Sequence, residues 1–112
     1  MDRNTKKYLE DIILAIQEIE TFLEQRPRQF KIFLEDTMFR RAIERDISII
    51  GEAVTKILQI DSNIEISNAR KIKGTRNYIV HSYDTLDEAT IWGLVINHLP
   101  KLKLEVQALL EL

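Results

Sequence analysis

Four side chains able to do phosphate chemistry sit within one short stretch, GTRNYIVHSYD at 74–84: Arg76, Asn77, His81 and Tyr83. Histidine can accept and return a proton near neutral pH. Arginine is a permanent cation whose fork matches a phosphate. Asn77 can fix an imidazole tautomer or hold a ligand oxygen. Together they suit cleavage of a phosphodiester by its own 2′-hydroxyl. A base takes the 2′ proton, the 2′ oxygen attacks phosphorus, and an acid protonates the departing 5′ oxygen. Arg76 stabilises the charge that builds up on the phosphoryl oxygens. No metal is needed. The reaction is best served by two proton-transfer groups, and this segment supplies one histidine.

The spacing adds a geometric condition. On a helix turning about 100° per residue, Asn77 and His81 share a face, and Arg76 and Tyr83 share another. Arg76 and His81 stand about 140° apart. Either the helix ends between them, or one site takes residues from two chains. A symmetric dimer would supply two copies of each group. The bland alternative is that Arg76 and His81 are ordinary surface or capping residues.

The elements around this segment are helical. Leu9, Ile12, Ile13, Ile16, Ile19 and Leu23 recur at steps of three and four, which predicts a helix over 5–24 ended by Pro27. Residues 29–35 read as a short helix or turn. Asp36 is placed to cap a helix over 37–59, with Phe39, Ala42, Ile43, Ile47, Ile50, Val54, Ile57 and Leu58 inward. Gly51, in mid-helix, costs about 1 kcal/mol relative to alanine and implies a close helix crossing there. A loop at 60–66 leads to the motif helix at 67–82. Thr85 and Glu88 fit a capping box opening a helix through Leu99, with Leu86, Ala89, Trp92, Val95, Ile96 and Leu99 inward. Pro100 should kink or break the chain before a last helix at 101–112. The architecture expected is all-α: an antiparallel up-and-down bundle of four to five helices, formed by residues 1–112 as one domain.

Composition narrows the function classes. The 112 residues contain no cysteine and only two histidines, His81 and His98. That excludes a disulfide framework, a thiol nucleophile and a cysteine-ligated zinc, and disfavours a histidine metal site, so neither metal nor cofactor is expected. The apolar runs are too short to span a membrane, and the opening MDRNTKKYLE lacks a signal-peptide core, so a soluble cytoplasmic protein is expected. The net charge is −2, yet residues 66–83 carry Arg70, Lys71, Lys73 and Arg76 with no carboxylate, leaving −6 elsewhere. This patch, with Arg45, is a candidate anion-binding or RNA-binding surface. Arg40, Arg41 and Arg45 are otherwise expected to pair with neighbouring Glu44 and Asp46. Glu52 is read as structural first, with support of a site residue as the alternative, His98 as a cation at a helix C-terminus and Trp92 as core, while Tyr78 is undecided between packing, the favoured role, and base stacking.

R-N-x-x-x-H-x-Y, preceded by Gly74, resembles the signature of HepT-like toxins of the HEPN superfamily. AIERDISIIGEA at 42–53 is similar to that family's second-helix block, and YLEDIILAIQEIE at 8–20 to its first helix. The resemblance implies an all-α bundle that dimerises through the motif region, a composite site at the dimer interface, and metal-independent RNA cleavage. It implies that Arg76 and His81 are the catalytic pair, with Asn77 supporting. It further implies that Tyr83 is the tyrosine to which an antitoxin, a minimal nucleotidyltransferase of the MntA type, attaches AMP. Where many relatives carry Pro-Trp before the glycine, this chain has Asn68-Ala69, which bears on the packing of the motif helix. Two further readings stand beside this one: a non-enzymatic helical module that binds a nucleotidyltransferase partner, and a degenerate member that folds without activity.

Overall fold

The computed structural model describes residues 1–81 and 87–112, with side chains described outside 77–86. Six α-helices follow one another: α1 (Arg3–Glu24), α2 (Phe30–Glu35), α3 (Thr37–Ile60), α4 (Ala69–His81), α5 (Glu88–Gly93) and α6 (Leu99–Leu110). A π-helical turn, Leu94–His98, joins the last two. The fold is all-α, with no strand among the described residues. No helix among them is long and apolar enough to cross a membrane.

The predicted stripes form the core. Leu9, Ile12, Ile16, Ile19 and Leu23 of α1 are buried against Ile43, Ile47, Ile50, Val54 and Ile57 of α3. Ile13, Ala42 and Leu58, also expected inward, are only half-buried. α3 is the central helix, with α1 packed on one side and α4 on the other, and α6 covers α1. Leu102 and Val106 of α6 are buried and Leu109 and Leu110 pack at the edge of the core, while Leu104 and Leu112 are exposed.

Local chemistry sets the helix starts. Asp36 caps α3 as predicted, accepting from the Phe39 amide at 3.0 Å. This bond, and then the Arg26 guanidinium 2.7 Å away, hold the Asp36 carboxyl below the usual carboxylate range. Short α2 plugs the bundle end through Phe33, which is fully buried and meets Phe39 edge-on at 6.1 Å and Trp92 at 5.0 Å. Trp92 is therefore a packing residue, as expected.

Two expectations fail in the C-terminal third. The cap of α5 is Asp87, which accepts from the Ala89 amide at 3.0 Å and from the Thr90 hydroxyl at 2.8 Å. Thr85 and Leu86, the proposed box residue and its neighbour, lie outside the described residues. Starting the helix at Glu88 buries Ile91 and Leu94, together with Val95 and Leu99, and leaves Ala89 exposed. Pro100 does not break the chain. It follows the π turn, in which the Leu99 amide donates to the Leu94 carbonyl, five residues back. The wider turn removes the conflict between the proline ring and the carbonyl four residues earlier, so the helical path runs on into α6.

The start of α4 is tied to α6. The Glu105 carboxylate accepts from the Ser67 amide at 3.0 Å and from its hydroxyl at 2.8 Å. Asn68 then turns into the helix with φ 60°, a left-handed conformation that asparagine tolerates. Because these bonds end on a half-buried carboxylate, Glu105→Ala should lower stability by about 1.5–3 kcal/mol, read from urea denaturation.

Candidate active site

Gly51 places Arg76. A Cβ built on Gly51 would stand 2.1 Å from the Arg76 Cβ, 2.7 Å from its Cγ and 3.4 Å from the Ile72 carbonyl oxygen. α4 therefore crosses α3 closer than any side chain would allow, and the stem of Arg76 occupies the space that the glycine leaves. The close crossing expected at this position is present, and the residue that uses it is the candidate catalytic arginine. Ile72, one turn earlier on α4, is fully buried and locks the same face. Thr75 is buried beside it, its hydroxyl bonded to the Lys71 carbonyl at 2.9 Å.

The guanidinium emerges beside Glu52. Arg76 Nη2 lies 2.9 Å from Glu52 Oε2, and Lys56 Nζ lies 3.9 Å from Oε1. Glu52, read from sequence as structural, is thus the carboxylate that orients Arg76. Both residues line a groove of about 420 Å³ together with Tyr8, Arg45, Ile49 and Lys56. Residues 45, 49, 52 and 56 recur at helical spacing and make α3 the floor. α1 supplies one wall through Tyr8, and α4 the other through Arg76.

His81 ends α4, and Asn77 lies one turn before it. α4 runs without interruption from Arg76 to His81, so the alternative in which the helix ends between them is overturned. The two positions stay about 140° apart on one helix. The side chains of Asn77, Tyr78 and His81, and Tyr83 altogether, lie outside the described residues.

The basic patch is divided. Arg70 and Lys73 are exposed on α4. Lys71 instead donates to Nε2 of His98 at 3.1 Å. His98 ends the π turn, but the helical path continues past it into α6, so it does not stand at a free helix C-terminus as expected. Arg45, from α3, joins Arg76 in the groove. Arg40 and Arg41 pair with Glu44 at 3.8 and 3.5 Å, as expected. Burial pushes the Glu44 carboxyl upward, and the two arginines oppose that shift.

Beside the groove, Asp46 is buried against Glu18 of α1. Burial first, and then its hydrogen bond to the Glu18 carboxyl, raise Asp46 to about 7, with Arg45 pulling the other way. Asp46 and Glu18 line a second hollow of about 240 Å³ that continues from the groove through Asp11, Arg45 and Ile49.

Comparison with known proteins places the chain in a family. The family model described as "Ribonuclease HepT-like" matches residues 12–109. The chain is similar to "Probable ribonuclease HepT" of Thermococcus cleftensis, 35% identical over 92% of this chain and 93% of that protein. It is also similar to "Putative RNase MJ1380" of Methanocaldococcus jannaschii, 29% identical over 94% of this chain and 95% of that protein. A third relative is "Putative RNase TTE0752" of Caldanaerobacter subterraneus subsp. tengcongensis, 30% identical over 97% and 96%. No solved structure matches the chain significantly. The chain belongs to the ribonuclease HepT-like family, of HEPN type.

Sequence reasoning passed over Tyr8 and Lys56. The signal that could have found Lys56 is the second stripe of α3, at 45, 49, 52 and 56, opposite the core stripe. Tyr8 is invisible without knowing which face of α1 meets α3.

Two measurements test this geometry. Gly51→Ala gains about 1 kcal/mol of helix propensity but forces the crossing apart, an overpacking cost of about 1–3 kcal/mol. It should fail to stabilise the chain and should reduce activity. Gly93→Ala, where a Cβ meets nothing within 4 Å, should raise the melting temperature. Folded Asp46 keeps its proton to about pH 7, whereas an unfolded aspartate loses it near about pH 4. The folded state thus binds the extra proton across that window, so stability falls as pH rises through it and levels off above. Thermal melts of Asp46→Asn should show a flatter pH dependence.

Proposed function

We propose that this chain is a metal-independent endoribonuclease toxin acting in the cytoplasm, cutting RNA by 2′-hydroxyl attack at a site completed by a second copy of the chain. The observation that carries the reading is Arg76. It is set by the Gly51 crossing and oriented by Glu52 at 2.9 Å, at the edge of a groove lined by further cations. A guanidinium carries five donors in a planar fork, a chemistry suited to carboxylate and phosphate oxygens alike. In this reading Arg76 binds the scissile phosphate and stabilises its developing charge, and His81 moves the proton. Asn77 supports the imidazole or a phosphoryl oxygen. The uninterrupted α4 favours a two-chain site, because it keeps Arg76 and His81 on diverging faces. A homodimer then supplies both a base and an acid. Exposed Arg70 and Lys73 hold the RNA backbone outside the site, with Arg45 within the groove.

We infer a matching mode of regulation. An MntA-type nucleotidyltransferase antitoxin would place AMP on the Tyr83 hydroxyl, two residues beyond His81. That adds a phosphate and a base beside the site and blocks RNA by charge and bulk.

The test is cleavage of total RNA in EDTA by the wild type and His81→Ala, with the new ends assayed for 2′,3′-cyclic phosphate. The wild type should cut and leave cyclic ends, and His81→Ala should lose about 10²–10⁴-fold in rate. Cleavage that survives in His81→Ala removes His81 from the mechanism. Cleavage that stops in EDTA removes metal independence.

A further inference from the structure

The groove extends well past Arg76, and its lining has a use that the catalytic pair does not exhaust. We propose that it binds the nucleoside next to the scissile phosphate of a single-stranded RNA, with the base on the Tyr8 ring and the following phosphate on Lys56. The proposal rests on the ribonuclease reading of Arg76 and extends it to the substrate's conformation.

Shape and lining fit such an occupant. At about 420 Å³ the groove falls in the range of about 300–1,000 Å³ typical of small-ligand sites. Ile49 and Ala53 give it an apolar floor. Tyr8 is half-buried and packed against the core, so its ring is held in place. A fixed aromatic ring suits base stacking, because every base has a π face and little rotamer freedom is lost on binding.

The charges fit as well. Arg45, Lys56 and Arg76 line the groove, and Lys7 Nζ lies 5.7 Å from the centroid of the Tyr8 ring. Two carboxylates face them, Asp11 and Glu52. Each already has a cation: Lys7 lies 3.0 Å from Asp11, and Arg76 lies 2.9 Å from Glu52. Among the residues that line the groove, three cations against two carboxylates leave one positive charge in excess, on a chain whose net charge is −2. Such a surface attracts a polyanion. A duplex keeps its bases stacked on each other and cannot lend one to Tyr8. The occupant is therefore single-stranded.

The test uses a fluorescein-labelled 2′-O-methyl RNA oligomer of twelve nucleotides, which lacks the attacking hydroxyl, and follows binding by anisotropy at several salt concentrations. Tyr8→Ala should weaken binding by about five- to a hundredfold, and Tyr8→Phe should bind within about twofold of the wild type. Lys56→Gln, at an exposed position, should weaken binding and reduce the slope of log K against log salt by about 0.7. A duplex of the same sequence should compete poorly. If the wild type binds the oligomer and both Tyr8→Ala and Lys56→Gln bind equally well, the groove proposal falls and the ribonuclease reading stands. If the wild type neither binds nor cleaves RNA, both fall. Light scattering on each variant separates the remaining case: weaker binding that tracks a change in molecular mass assigns the groove to a protein contact and overturns the proposal.

Discussion

The close approach of α4 to α3 at Gly51 is the constraint on which the site depends. Helix axes normally keep the distance that their side chains require. Here one missing Cβ lets the Arg76 stem sit where a methyl group would be, 2.1 Å from its Cβ. Arg76 is thereby placed by backbone packing rather than by its own flexible side chain. Its guanidinium then has a short path to Glu52, the next residue along α3. A second anchor, Glu105 on Ser67, fixes where α4 begins. Held at its first turn and at its middle, α4 has little freedom to slide along α3.

The charge pattern follows from the same packing. α3 turns one stripe to the core and offers Arg45, Glu52 and Lys56 on the other, so the groove gathers cations from a chain that is acidic overall. Glu52 does two things there. It orients Arg76, and it neutralises part of the field that would attract phosphate. A carboxylate in that position exchanges some attraction for a defined direction, which suits a group that must meet phosphoryl oxygens at fixed angles. Asp46 shows the opposite case, a carboxyl whose burial and whose neighbour Glu18 both favour its protonated form.

Much of this architecture was legible in the sequence. Apolar spacing gave α1 and α3 to within two residues, and Asp36 was recognised as a cap because its oxygen has only the first-turn amides to serve. Gly51 was legible as a crossing, because a mid-helix glycine needs a packing reason. The identity of the residue lying on it was not, since that depends on the register of α4 against α3. Asp87 rather than Thr85 caps α5, because both have capping chemistry and only the buried face, Ile91 and Leu94, decides between them. Lys71 reaches His98 across 27 positions of sequence, a pairing that no local pattern encodes. For Arg76, residue type suggested the role, while its partner Glu52 became evident only in three dimensions.

The π turn before Pro100 has a consequence for how the chain can change over time. It holds one residue more than a regular helix needs, and the surplus is absorbed in the five residues Leu94–His98. Elsewhere in the bundle, losing one residue from a helix rotates everything downstream by about 100° and turns a buried stripe outward. Removing one residue here would restore ordinary helical winding while leaving the faces on either side in register. This turn is thus a point where chain length can vary by one, provided the proline is lost with it. The spare residue and the proline belong together structurally, and both lie outside the helix that carries Arg76.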